Sequence, residues 1–290
     1  MNLYGGVLML DFDTYKDIEG INCLNKKDRS PYFINYEHIY PWTNENLRDF
    51  FDMFDVVIQL GAILAVVVLF WNKIWPFALT KKQRQGQTGV GAFFKKDIWI
   101  MWFKILVSTV PAAVIGGLFD DVFNRLFYNP VCVALALIIF GIAFILVENW
   151  NRTRTPKINS LAEITYTTAL MIGFFQVLAA IFPGTSRSGA TIVGALLIGV
   201  SRTVAAEYTF FLAIPVMFGA SLLKVMKFGF SFTGNELMLL LTGTVVSFVV
   251  SLFVLRFLMG YIKKHDFKVF GWYRIVLGAI VLLYFALGAR

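Results

Sequence analysis

The stretch Phe182-Pro183-Gly184-Thr185-Ser186-Arg187-Ser188-Gly189-Ala190-Thr191 gathers the groups in this chain best suited to holding an anion. Thr185, Ser186 and Ser188 bring hydroxyl donors, and Arg187 brings a planar fork of N–H groups that matches phosphate oxygens. Pro183 ends the preceding helix, while Gly184 and Gly189 permit a tight backbone and close approach to a ligand. A helix resuming at about Gly189 would aim its free N–H groups and positive dipole end into the same space. The plainer reading is a polar turn with a snorkelling arginine. Against it, residues 164–182 and 190–200 carry no charge. An arginine at mid-membrane costs about 2.5–3.5 kcal/mol on insertion scales, and such residues usually serve function. The loop is therefore read as an anion-binding loop.

The elements around it must be membrane helices. Of 290 residues 58% are hydrophobic and 15% charged, against roughly 25% charged in a soluble domain. Apolar runs fall at Phe54–Trp71, Ile98–Leu118, Val131–Val147, Ile164–Phe182, Thr203–Leu223, Leu237–Leu258 and Val269–Leu287. About 20 residues at ~1.5 Å each cross the hydrocarbon core, and only helices satisfy their own backbone there. Ala190–Val200 is too short to cross. The expected fold class is an all-α, polytopic integral membrane bundle. Met1–Leu10 has no signal-peptide pattern, so the later spans are expected to direct insertion.

Loop charge sets the topology. Lys73, Lys81, Lys82, Arg84, Lys95 and Lys96 follow the first run; Arg152, Arg154 and Lys157 follow the third; Lys263, Lys264 and Lys268 precede the last. The positive-inside rule places these three loops in the cytoplasm, and the Asp120–Pro130 loop outside. Two full spans, 203–223 and 237–258, separate the interior Ser160 region from the interior Lys263 loop. Parity then requires 164–182 and 190–200 to form a hairpin that enters and leaves on the cytoplasmic side, with Pro183–Gly189 at its tip. Lys224 and Lys227 would lie outside, against the preference of the rule. The +8 charge is thus topological and calls for no nucleic acid partner.

Three spans, the hairpin and three more spans suggest an inverted repeat, with unit one at about 51–150, unit two at about 160–290, and a polar segment 1–50 in front. The hairpin matching 160–200 would precede Phe54, where the polar segment offers no apolar run.

Other polar residues carry less. Gln59 would line a cavity or bond a neighbouring helix; Arg202 and Glu207 would pair with each other or reach the interface; Arg256, Arg274 and Lys104 would snorkel. Gly116, Gly117 and Gly243 would serve close helix packing. Cys23, Cys132, His38 and His265 show no metal-ligand spacing.

The Pro183–Thr191 segment resembles the second signature of the bacterial undecaprenyl diphosphate phosphatases. The likeness extends to Val56-Val57-Ile58-Gln59-Leu60-Gly61-Ala62-Ile63-Leu64-Ala65, to Ser201-Arg202, to Phe210-Phe211-Leu212-Ala213-Ile214-Pro215 and to Tyr273-Arg274-Ile275-Val276-Leu277-Gly278, about residues 50–288. The resemblance implies a multi-pass enzyme of the bacterial inner membrane, with two re-entrant helix pairs and a site opening to the outer face. It would remove the terminal phosphate of the C55 carrier diphosphate, recycling the lipid for cell-wall synthesis and cell shape and conferring bacitracin resistance. Arg187 and Ser186 would hold the diphosphate, supported by Thr185, Ser188, Thr191, Gly184 and Gly189, and a divalent cation (Mg or Ca) is implied without identifiable ligands. The family's first signature resembles E-G-x-T-E-F-L-P-x-S-S-T-G-H. Its nearest echo here is Ile18-Glu19-Gly20, so no catalytic role passes to Glu19, Glu37 or His38, and the first re-entrant pair is not found. The alternative expectation is a lipid-diphosphate binder or carrier translocator that hydrolyses little.

Overall fold

The computed structural model describes residues 2–4, 7–9, 44–78, 93–229 and 232–288. Glu19, Cys23, Glu37, His38, Lys81, Lys82 and Arg84 lie outside these residues. Two strands, β1 (Asn2–Tyr4) and β2 (Val7–Met9), pair antiparallel with Asn2 opposite Met9. The remaining elements are helical: α1 (Asn44–Val57), α2 (Gln59–Leu69), α3 (Trp71–Ile74), α4 (Lys96–Phe127), α5 (Pro130–Asn151), α6 (Tyr166–Ile181), α7 (Arg187–Ile198), α8 (Arg202–Phe228), α9 (Gly234–Ile262) and α10 (Lys268–Gly288).

Among the described residues six stretches are long and apolar enough to cross a membrane: Asp49–Leu69, Lys96–Phe119, Pro130–Asn151, Arg202–Phe228, Gly234–Ile262 and Lys268–Leu287. Phe253 and Phe257 on α9 are 69% and 73% exposed. A helix apolar all round with its rings facing outward is stable only against lipid. The chain is an all-α, multi-pass membrane protein.

Local sequence explains where the helices begin. Asn129 accepts from Cys132 N at 2.9 Å and Pro130 occupies the first turn of α5. Thr233 and Glu236 close a reciprocal capping box on α9. Two boundaries differ from the hydropathy reading. The first helix begins at Asn44, ahead of the run at Phe54, and α4 continues to Phe127, so Asp120, Asp121 and Arg125 are helical rather than in a loop. Hydropathy marks where the lipid ends; helical hydrogen bonding continues into the aqueous layer.

The hairpin is present. α6 and α7 have 16 and 12 residues, too short to cross. Ile158, ahead of α6, and Val200, after α7, form a parallel bridge, with Ser201 N donating to Ile158 O at 2.9 Å. The segment therefore enters and leaves at one end of the bundle, as parity demands. That end also holds two ion pairs between parts placed there by loop charge. Glu148 of α5 accepts from Arg202 of α8 and from Phe267 N ahead of α10, and Lys73 pairs with Glu207 at 2.7 Å.

Glycine lets the helices meet closely. A Cβ on Gly141 or Gly271 would stand 2.7 Å from the carbonyl oxygen of the other, locking α5 to α10. Gly243 sits against Phe54 and Ile58 as expected, but a Cβ on Gly117 would meet nothing within 4 Å, because it would face a cavity.

Candidate functional site

Ser186 caps α7, its hydroxyl accepting from Gly189 N at 3.1 Å. The helix starts at Arg187, two residues ahead of the expected Gly189, so Arg187 stands in the positive first turn. Gly184 has φ +88°, a left-handed conformation suited to glycine. A Cβ there would also lie 2.7 Å from Val133 O.

The tip reaches farther than mid-membrane. Val133 is in the first turn of α5, about 4.5 Å from its start and about 22 Å of helix from Glu148. Phe182 packs on Phe127, at the last residue of α4, with centroids 5.0 Å apart. The loop thus lies near the end of the bundle opposite the Glu148–Arg202 pair.

Two cavities meet at this tip. One, of about 440 Å³, is lined by Ser186, Arg187, Ser188 and Thr191 together with Thr209 and Phe210 of α8. The other, of about 780 Å³, is walled by small residues such as Ala112, Gly116, Ala180 and Gly219, with Lys224 and Lys227 at the C-terminal end of α8. Only Gln176 and Arg187 line both. Among the described residues the Arg187 guanidinium makes no hydrogen bond or ion pair.

The structure divides the expected site residues by role. Ser186, Arg187, Ser188 and Thr191 line the smaller cavity. Thr191 is 1% exposed, and its hydroxyl sits between Arg187 O, Ser188 O and the Thr209 hydroxyl, each at 3.1 Å. It ties α7 to α8 as much as it faces the cavity. Gly184, Thr185 and Gly189 line neither cavity and shape the loop instead. Thr185 is buried with its hydroxyl unpartnered.

Gln59 is a correction: its amide donates to Asp55 O at 3.0 Å, one turn back, and it lines neither cavity. The α1–α2 break at Ile58 frees that carbonyl, and the side chain takes it up. Arg274 is another, since it does not snorkel to an interface. Its guanidinium reaches along α10 to donate to Gly184 O at 2.8 Å, holding the turn. Lys104 is likewise buried, donating to Ala162 O at 3.3 Å. Arg202 and Glu207 do not pair with each other; each has a partner from another helix, which the sequence could not show.

Two cavity-lining residues, Gln176 and Thr209, are not singled out by the sequence, and Arg274 is singled out there only as a snorkelling side chain. Gln176 gave a readable signal, a lone amide within the uncharged run 164–182. Among the described residues no group of His, Cys, Asp or Glu could hold a metal ion, and no carboxylate lines either cavity. These residues do not form a divalent cation site.

A family model described as "Bacitracin resistance protein BacA" matches residues 33–280. The chain is similar to the undecaprenyl-diphosphatase of Desulfitobacterium hafniense, 66% identical over 237 residues, covering 82% of each chain. It is 60% identical over 236 residues to undecaprenyl-diphosphatase 1 of Clostridium acetobutylicum, covering 81% of this chain and 83% of the relative. It is 53% identical over 275 residues to the undecaprenyl-diphosphatase of Streptococcus gordonii, covering 94% of each.

Proposed function

The chain belongs to the bacitracin resistance protein BacA family, and on that premise we propose that it hydrolyses undecaprenyl diphosphate to undecaprenyl phosphate at the hairpin tip. The names of the relatives favour the hydrolase over the binder or translocator reading. The observation that carries the site is the unpaired Arg187, set at a helix N-terminus between a hydroxyl-lined cavity and a larger apolar one. A diphosphate needs the first, and a prenyl chain needs the second.

In the reaction a water oxygen bonds to the terminal phosphorus, and the bond from that phosphorus to the bridging oxygen breaks. Inorganic phosphate and undecaprenyl phosphate leave. Charge spreads over the transferring group's equatorial oxygens, so its catalyst is fixed positive charge and donors already in place. Arg187 supplies the charge; the Ser186 and Ser188 hydroxyls and the first N–H groups of α7 supply donors. Gly184, held by Arg274, sets their position.

The product would recycle the lipid carrier for cell-wall synthesis, and bacitracin resistance follows from removing its diphosphate form. The site is read as opening to the outer face of the bacterial inner membrane. The tip lies opposite the end where Arg152, Arg154, Lys157 and Lys263 cluster, and the positive-inside rule assigns that end to the cytoplasm. Lys224 and Lys227, which that rule disfavours outside, acquire a reason: at the larger cavity they draw an anionic head group. Residues 51–150 and 160–290 are read as two inverted units. The full chain, purified in detergent, should release phosphate from undecaprenyl diphosphate and lose that activity on Arg187→Ala. An unchanged rate in the variant would remove the site from Arg187.

A further inference from the structure

Gln176 lies on α6, is 2% exposed, and makes no hydrogen bond among the described residues. Its Oε1 is buried and unpartnered. Buried amides are usually satisfied, because an unpaired one forfeits its hydration with no return. An apolar residue of similar shape would fit α6 better unless something binds the amide. Gln176 and Arg187 are the two residues common to both cavities, one of which is rich in hydroxyls and the other walled mainly by small apolar residues, with Lys224 and Lys227 at one end.

A prenyl diphosphate has its terminal phosphate at one end, its chain at the other and its proximal phosphate between. With the chain in one cavity and the terminal phosphate in the other, the proximal phosphate stands at their shared wall. Exchanging the occupants leaves it there. We infer that the Gln176 amide, opposite Arg187, binds the proximal phosphate of the lipid, the one retained by the product. The two ends of an amide are interchangeable by rotation, and an anion selects the Nε2 donor. Gln176 then contributes in two ways: it distinguishes a lipid-linked phosphate from free phosphate, and it donates to the leaving group as negative charge develops there. This rests on the reading that diphosphate binds at Arg187.

The test uses the full chain in detergent, with equilibrium binding of undecaprenyl phosphate and of inorganic phosphate measured separately. Gln176→Met keeps the volume and removes both amide groups. It should weaken undecaprenyl phosphate about tenfold or more, the worth of a hydrogen bond to a charged group, while changing inorganic phosphate less than twofold. Its unliganded melting temperature should not fall, since an unpaired amide has been removed. Gln176→Glu should weaken undecaprenyl phosphate further at neutral pH and recover part of the loss as pH falls and the carboxylate protonates. Equal weakening of both ligands, or no weakening, overturns the inference, as does a fall in melting temperature that accounts for the lost binding. Arg187→Ala separates the two levels. If it leaves both ligands bound as before, the site reading itself fails; if it abolishes binding while Gln176→Met does nothing, only the inference fails.

Discussion

Two arginines in this bundle stand at the first residue of a helix and have opposite surroundings. Arg202 opens α8 and grips Glu148, a carboxylate with no exposed side-chain surface, through Nε at 2.9 Å and Nη2 at 2.5 Å. Glu148 also accepts from Phe267 N at 3.1 Å, so one carboxylate joins three parts of the chain. Arg187 opens α7 and has no partner among the described residues, only two cavities. A satisfied ion pair fixes which helices meet, and an unpaired arginine beside two cavities leaves its donors free for a ligand on the proposed reading. The two lie at opposite ends of the bundle.

Exchanging each arginine for lysine should separate the two roles most sharply. Arg187→Lys keeps the charge but loses the planar fork, and should lower phosphate release by about 10²-fold, the scale of losing one positioned donor, with the melting temperature unchanged. Arg202→Lys should lower stability and leave the rate per folded molecule as it was. If Arg202→Lys cuts the rate without destabilising the fold, the division is wrong.

Removing one partner of the pair comes next in size. Glu148→Ala strands a partly exposed guanidinium and a buried N–H, and should cost about 3 kcal/mol in unfolding measurements. Adding Arg202→Leu should restore much of the loss, whereas a strictly additive double variant would show that no coupling exists.

At the tip, Gly184→Ala forces a side chain into left-handed backbone against Val133 O, a strain of about 1–2 kcal/mol. Its effect should appear as a raised KM, because the carbonyl that Arg274 holds must move. Smaller still, Lys224→Ala with Lys227→Ala should raise KM a few-fold at low ionic strength and have little effect at about 1 M salt, where the Debye length is about 3 Å. Gln59→Leu should change the rate less than about twofold, since Gln59 bonds only its own helix.

Much of this was legible in the residue order. The six long apolar helices among the described residues follow from hydropathy and the short α7 from run length, while the pairing of the near-spanning run 164–182 with it as a hairpin follows from parity of loop charge. The candidate loop is visible because proline, glycine, hydroxyls and arginine stand together in an otherwise uncharged stretch. Gln59 and Gln176 are both single amides in apolar runs. Nothing local tells them apart: one bonds the carbonyl a turn behind it, and the other faces a space made by α4, α7 and α8.

The sequence by itself therefore determined what is local or additive: which segments enter lipid, where proline and glycine interrupt the apolar run, and that an arginine stands at that turn. Those depend on transfer energies and backbone hydrogen bonds counted along the chain. Only the tertiary structure decided partnership. Arg202 has Glu148, Lys73 has Glu207, Arg274 has Gly184, and Arg187 has none among the described residues. Pairing depends on distances between helices far apart in sequence, and Coulombic and hydrogen-bond energies fall too steeply with distance for residue type alone to assign them.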